Sequence, residues 1–313
     1  MGLTIGIVVV AVVVVAAIKF KPKADDGERA HAGLSNQAPD LTKLGRYKIT
    51  EKIGKNEDAV LYKGTSRGLG GSKTVLLKVY KPDSVTRDDF QARFYREMLI
   101  GHELDHPNIV KVISGAEEEG MFYLALEHVD GTPLSERMAE GPVDRAQALK
   151  WLTELLRGLE HAHRHNVIHR NLNPQAILID DEGTLRLTDF GLGKTKGDVS
   201  ITKKGVSLGT PAYLAPELIT RGTSAADARA DQYSAGVVAY ELLSGRLPYP
   251  NRNLVELTDS IVAGEMTPLT EVAPDVPDSV VGLVETMLAN SPDKRFPALS
   301  TALTILEELA EAG

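Results

Sequence analysis

Two polar tripeptides, His169-Arg170-Asn171 and Asp189-Phe190-Gly191, bracket the stretch where the sequence gathers its reactive side chains. Between them lie two apolar runs, 176–179 and 185–188, separated by Asp180-Asp181-Glu182-Gly183. That tetrapeptide has turn chemistry, so the runs read as a β-hairpin. A short hairpin returns both tripeptides to the same end. It builds a site from an imidazole, a guanidinium, a carboxamide and a carboxylate. The Asn171 amide can orient a hydroxyl but cannot accept its proton.

Other elements must position that site. Val75-Leu76-Leu77-Lys78 reads as a strand ending on a lysine. Residues 88–102 place Phe90, Phe94, Met98 and His102 near helical spacing, with Glu97 among them. Residues 46–53 and 59–65 read as strands around a tight turn, and 121–127 alternates as a strand. Residues 144–165 form a long amphipathic helix with Ala148, Leu152, Leu155, Leu156 and Leu159 as its apolar stripe. His161, His163 and His165 alternate near its end. Spacing of two does not put helix neighbours on one face, so capping and surface roles outrank a metal cluster.

These stretches resemble the eukaryotic-type protein kinases, bacterial Ser/Thr branch, over roughly residues 47–310. The tripeptides match the family's H-R-D-L-x-x-x-N and D-F-G loops, and the Lys78 strand matches V-A-I-K. His106-Pro107-Asn108-Ile109-Val110, the run 209–217 (GTPAYLAPE), Asp231-Gln232-Tyr233-Ser234-Ala235-Gly236 and Arg295 match further family signatures. The resemblance implies an α+β, two-lobed fold: a β-rich N-lobe with one main helix and a helical C-lobe. It implies a nucleotide site at Gly54, Leu61, Lys78, Glu97, Glu127, Val129 and Leu178, with Leu126 as gatekeeper. Asp189 would hold Mg²⁺, or else cap its own turn. His169 would pack under Phe190. Arg170 would meet a phosphorylated Thr195, Ser200, Thr202 or Ser207, or bond local backbone. Thr210, Glu217, Asp231 and Arg295 would be structural, Glu217 pairing with Arg295 and Asp231 bracing the catalytic loop. ATP and Mg²⁺ are the cofactors implied, and no other is expected.

The departures from the family pattern fall on chemistry. Asn171 stands for the catalytic Asp, Asn173 for the Lys and Ala176 for the metal-binding Asn. Of three loop glycines only Gly54 is kept, with Asn56 and Ala59 in the other places and Asp58 at the tip. Leu76 replaces the small Ala that lies against adenine. The expectation is a pseudokinase that acts by binding a protein, an active kinase or its substrate, with ATP binding weak or absent. The alternatives are an active Ser/Thr kinase in which Asp180, Asp181 or Asp58 substitutes, and a nucleotide sensor without transfer.

The 313 residues carry a net charge of -8 and no cysteine, which argues against nucleic-acid binding and leaves no disulfide. Residues 3–18 are an unbroken apolar run followed by Lys19, Lys21 and Lys23. At ~1.5 Å per residue the run gives roughly 24 Å; flanking residues complete a ~30 Å span. A signal peptide would need a basic start and a small-residue cleavage site. The division expected is a transmembrane anchor at 1–20, a flexible linker at 21–44, an N-lobe at 45–130 and a C-lobe at 131–313. The lysines favour a single-pass cell-membrane protein with the kinase-like part cytoplasmic. Two residues before the run lead one to expect no sensor domain outside.

Overall fold

The computed structural model describes residues 41–55, 59–68, 71–81, 90–190, 210–222, 227–249 and 253–312. The proposed anchor and most of the linker lie outside them, as do Asn56, Asp58, Gly191, Gly209 and the four candidate phosphosites. Pro39–Gly313 forms one unit.

The upper lobe is an antiparallel sheet of β1 (Lys43–Leu44), β2 (Tyr47–Lys55), β3 (Ala59–Gly68), β4 (Gly71–Tyr80), β5 (Val112–Glu118) and β6 (Met121–Glu127), in the order β1-β2-β3-β4-β6-β5. Lys43 and Leu44, expected in the linker, instead pair with Lys48 and Tyr47. Leu44 is buried, so a short apolar residue ends the tether early. Along β4, residues 75, 77 and 79 share one face and 76, 78 and 80 the other, as a period of two requires. Helix α1 (Phe90–Glu103) packs through Phe90 and Phe94 onto Tyr80 and Phe122, with ring centroids 5.1–5.8 Å apart in edge-on pairs.

The chain then crosses at Gly131. Strand β7 (Gly131–Pro133) pairs with β8 (Ile177–Asp180), which pairs with β9 (Leu185–Leu187). A Cβ on Gly131 would sit 2.2 Å from the Ile179 carbonyl oxygen, so only glycine permits that approach. The β8–β9 hairpin is as read, except that Ala176 closes a short 3-10 turn, Pro174–Ala176. Gly183 takes φ +77 at its tip.

The lower lobe holds α2 (Leu134–Ala139), α3 (Arg145–Arg164), α4 (Pro216–Arg221), α5 (Ala228–Ser244), α6 (Leu254–Ala263), α7 (Leu269–Val272), α8 (Asp278–Met287) and α9 (Leu299–Ala312). Asp144 caps α3 by accepting from the amides of Ala146 and Gln147. The stripe of α3 is buried, and Trp151 joins it. From α3, the Trp151 indole and Lys150 both donate to the Gly183 carbonyl at 3.0 and 2.9 Å, and the Glu154 carboxylate accepts from the Leu185 amide at 2.8 Å. Helix α5 is buried from Ala230 to Tyr240, which makes it the centre of the lobe. Among the described residues no helix is long and apolar enough to cross a membrane.

The turn after α1 belongs to the lower lobe. The Val110 amide donates to the Leu187 carbonyl, the Leu187 amide donates to the Asn108 carbonyl, and the Asn108 side chain donates to the Leu185 carbonyl at 2.8 Å. Leu104 and Ile109 are buried in the lower core.

Candidate active site

Strand β4 delivers Lys78 into the cleft and α1 delivers Glu97 opposite. The Lys78 Nζ lies 3.2 Å from Glu97 Oε1 and 3.1 Å from Asp189 Oδ1. Lys78 is 2% exposed, whereas the Asp189 side chain is 35% exposed and opens to the cleft. Burial pulls the Lys78 ammonium down, but Glu97, Tyr80 and Asp189 together hold it well above its ordinary value. Burial raises Asp189 too, and Lys78 outweighs it, so that carboxylate stays ionised. Glu97 goes the other way: its burial outweighs Lys78 and Tyr80 and raises it. One ammonium thus serves two carboxylates.

The loop before the hairpin is held by one buried carboxylate. Asp231, 1% exposed, accepts from the His169 amide at 2.7 Å and the Arg170 amide at 2.8 Å, with His163 Nε2 at 2.8 Å. Arg170 sits at φ +64 and Asp189 at φ +62, strained places for residues with a Cβ. Asp231 stabilises the first of them through two consecutive amides. His169 Nε2 donates to the Thr188 carbonyl at 2.9 Å, and its ring lies 4.7 Å from that of Phe190.

Lower in the lobe, the Arg295 guanidinium meets Glu217 through two bonds of 2.7 and 2.8 Å. Its remaining donors reach the carbonyls of Ala289, Arg229 and Asn290, and it stacks 4.9 Å over Tyr233. Thr210 begins the short turn Thr210–Tyr213, whose Tyr213 hydroxyl donates to Glu241. A lysine–glutamate pair across the upper cleft, a braced loop and this buried pair together make one arrangement. The Protein kinase domain profile matches residues 47–305.

The chain belongs to the protein kinase family.

It is similar to the probable serine/threonine-protein kinase pknA2 of Bifidobacterium longum, 34% identical over 88% of this chain, and to PrkC of Bacillus subtilis, 32% identical over 80%. The chain spans only 37% and 38% of those two relatives. In structure it is similar to the kinase domain of PknI from Mycobacterium tuberculosis, with a TM-score of 0.65 at 24% identity, covering 85% of this chain and 97% of that one.

Against the kinase frame, the degenerate positions have definite environments. Asn171 is half-buried and makes no side-chain hydrogen bond among the described residues. Asn173, which stands for the family's Lys, is turned inward and 4% exposed. It accepts from the Gln175 amide at 3.0 Å and donates to the Asn171 carbonyl at 2.7 Å, bracing the loop on itself. Ala176 is buried and brings no ligand. Asp180 is engaged within its own turn. Its Oδ1 accepts from the amides of Glu182 and Thr184, and its Oδ2 pairs with Arg186. It faces Gly131 at the hinge end of β8, roughly 13 Å of strand from Ala176. Asp181 follows it into the same turn, its amide bonded to the Asp130 carbonyl.

The residues implied for the adenine wall come together, with Leu76, Val129 and Leu178 packed against the upper core alongside Leu126. Gly54 faces Leu61 across β2–β3, and Leu61 faces Lys78 across β3–β4. Glu127 spends its amide on the Lys111 carbonyl. For Mg²⁺ the donor set among the described residues is one carboxylate, Asp189, already paired with Lys78. Magnesium held by so few protein oxygens needs phosphates for the rest. Among the described residues no cluster of three His, Asp or Glu is placed to hold a metal.

Spacing of two hid one grouping. His161 and His165 lie with ring centroids 4.5 Å apart in a tilted pair and His106 lies 4.9 Å from His161, whereas His163 turns away to Asp231. Burial first, then the neighbouring imidazole and, at His106, Arg157, pulls His106 and His161 below the ordinary value of 6.5. Glu160 opposes this at both rings; at His161 Arg164 adds to the lowering and Asp105 opposes it. Folded pKa values below the unfolded ones mean that protons prefer the unfolded chain. Stability is therefore unchanged above the ordinary value and falls as pH drops through it. Melting curves at about pH 7.5 and about pH 5.5 should show this loss, and His161→Gln should reduce it. An equal loss in the variant would refute the assignment.

Proposed function

We propose that this chain is a membrane-tethered kinase-like domain that acts by binding proteins rather than by transferring phosphate. The observation that carries the reading is Asn171 at the place of the general base. Loss of such a base costs ~10²–10⁴ in rate. The inward-facing Asn173 and the ligand-free Ala176 compound that loss, though not additively. The intact bracing around Asp231 and Glu217 supports a kinase-shaped surface for an active kinase or its substrate. The apolar run 3–18 and the lysines after it support a single-pass anchor in the cell membrane with the domain on the cytoplasmic side. A net charge of -8 argues against nucleic acid.

The second reading, an active Ser/Thr kinase, is favoured by one observation: Lys78 lies within 3.2 Å of both Glu97 and Asp189. Radiolabelled phosphate transfer by the full chain separates the two. The proposal expects nothing above a Lys78→Ala control; clear transfer that disappears in that control would sink it. Nucleotide binding is checked by thermal shift. No shift is expected at millimolar MgATP, because Leu76 adds three carbons against the adenine wall. Leu76→Ala should gain a shift, and unchanged melting would remove Leu76 as the block.

A further inference from the structure

Tyr80 stands two residues after Lys78 on the same face of β4. Its hydroxyl donates to Glu97 Oε2 at 2.6 Å, while Lys78 holds Oε1 at 3.2 Å. Both carboxylate oxygens are therefore satisfied inside the protein, with Glu97 5% exposed. The phenol ring is walled by Phe90 at 5.2 Å and Phe94 at 5.8 Å, and the Lys78 ammonium lies 5.6 Å from its centre. Burial pushes the phenol well above its ordinary pKa, so it remains a donor across the physiological range.

Among the described residues, helix α1 packs on β5 where Gly101 lies against Val112 and Met98 against Gly115, and it has two further attachments. Its C-terminal end runs into the turn bonded to the lower lobe through Asn108. Its middle meets the sheet through aromatic rings, which grip without direction, and through Glu97, whose bonds are directional. An ammonium alone would leave Glu97 Oε2 buried without a donor, and such an orphan favours rotation of the helix toward water. A hydroxyl on β4 removes that incentive.

We propose that Tyr80 is a positioning residue that locks α1 against β4, keeping Lys78, Glu97 and Asp189 assembled without help from nucleotide. This holds whether or not the loop transfers phosphate. It gives the upper lobe one fixed helix position, with Tyr95 and Leu99 on the outer face of α1 exposed at 46% and 60%.

The test is amide hydrogen exchange on the full chain without nucleotide. Tyr80→Phe keeps the ring and removes the hydroxyl. Exchange across Phe90–Glu103 should accelerate on the order of ten-fold or more, as loss of a buried bond to a charged acceptor implies, while α5 stays unchanged. A purely packing role leaves α1 unaltered, and general weakening accelerates α5 as well; either result overturns the proposal. The effect must also run through Glu97. In a Glu97→Ala background, Tyr80→Phe should add nothing to α1 exchange. An undiminished effect there overturns the proposal too. Phe94→Leu, which loosens the ring packing but keeps the hydroxyl, should not reproduce the coupling; if it does, the hydroxyl is not the agent.

Discussion

The chain carrying Leu76→Ala, Asn171→Asp, Asn173→Lys and Ala176→Asn should transfer phosphate from MgATP at least ~10²-fold faster than the chain carrying Leu76→Ala alone. Each change has a separate physical task. Leu76→Ala clears the adenine wall, and Asn171→Asp supplies an acceptor for the hydroxyl proton. By the family resemblance, Asn173→Lys should help neutralise the migrating group, and Ala176→Asn should supply an oxygen for a second metal. A general base contributes ~10²–10⁴ and a charge stabiliser ~10²–10³, and groups that act as a unit do not add. The scaffold they need is in place: Asp231 still bonds the amides of His169 and Arg170, and Lys78 already reaches Asp189. Asn173→Lys costs the loop the brace that the carboxamide makes, about 1 kcal/mol by analogy with a lost cap. The measurement is radiolabelled transfer to a generic protein substrate, with thermal shift confirming that nucleotide binds. Transfer by Leu76→Ala alone at the full rate would show that Asn171 is no obstacle, and the binding-only reading would fall.

Arg295→Ala should lower stability by about 3–5 kcal/mol, the usual result of stranding one partner of a buried ion pair. Glu217 would be left as a buried carboxylate, and three carbonyls would lose their donor. Arg229→Ala is the comparison. Its partners Asp227 and Asp293 are 50% and 87% exposed, so the expected loss is under about 1 kcal/mol. Denaturant midpoints at constant slope measure both. The double change Arg295→Met with Glu217→Leu should recover most of the loss, because neither charge is then buried alone. Equal losses for Arg295→Ala and Arg229→Ala would mean that the buried pair has no special role in the lobe.

Much of the fold was legible because long patterned segments carry their own signal. The α3 stripe and the hairpin turn could be read from residue order; the alternation expected of 121–127 is not found, because Phe122 to Leu126 are all buried and β6 is covered on both faces. What escaped reading depended on partners distant in sequence. Strand β7 is Gly131-Thr132-Pro133, which looks like loop until Ile179 arrives beside it. Leu44 looks like tether until Tyr47 pairs with it. Within the site, motif spacing brought Lys78, Glu97, Asp189 and Asp231 into view. It gave no sign that Asn173 would turn inward, since a side chain that bonds its own loop leaves no periodic trace. The period of two did put Tyr80 on the Lys78 face, but only the distance across to α1 reveals the reach of its hydroxyl.

Trp151 is the sole indole in the sequence, and it touches the Gly183 carbonyl at the hairpin tip. Tryptophan emission from this protein therefore comes from a single place, on α3 against the tip of the hairpin that precedes Asp189. Excited at the red edge, the molecule reports on that hairpin tip without any attached dye. A titrant that shifts β8 and β9 would alter that light, and unfolding of the lower lobe would quench or redden it.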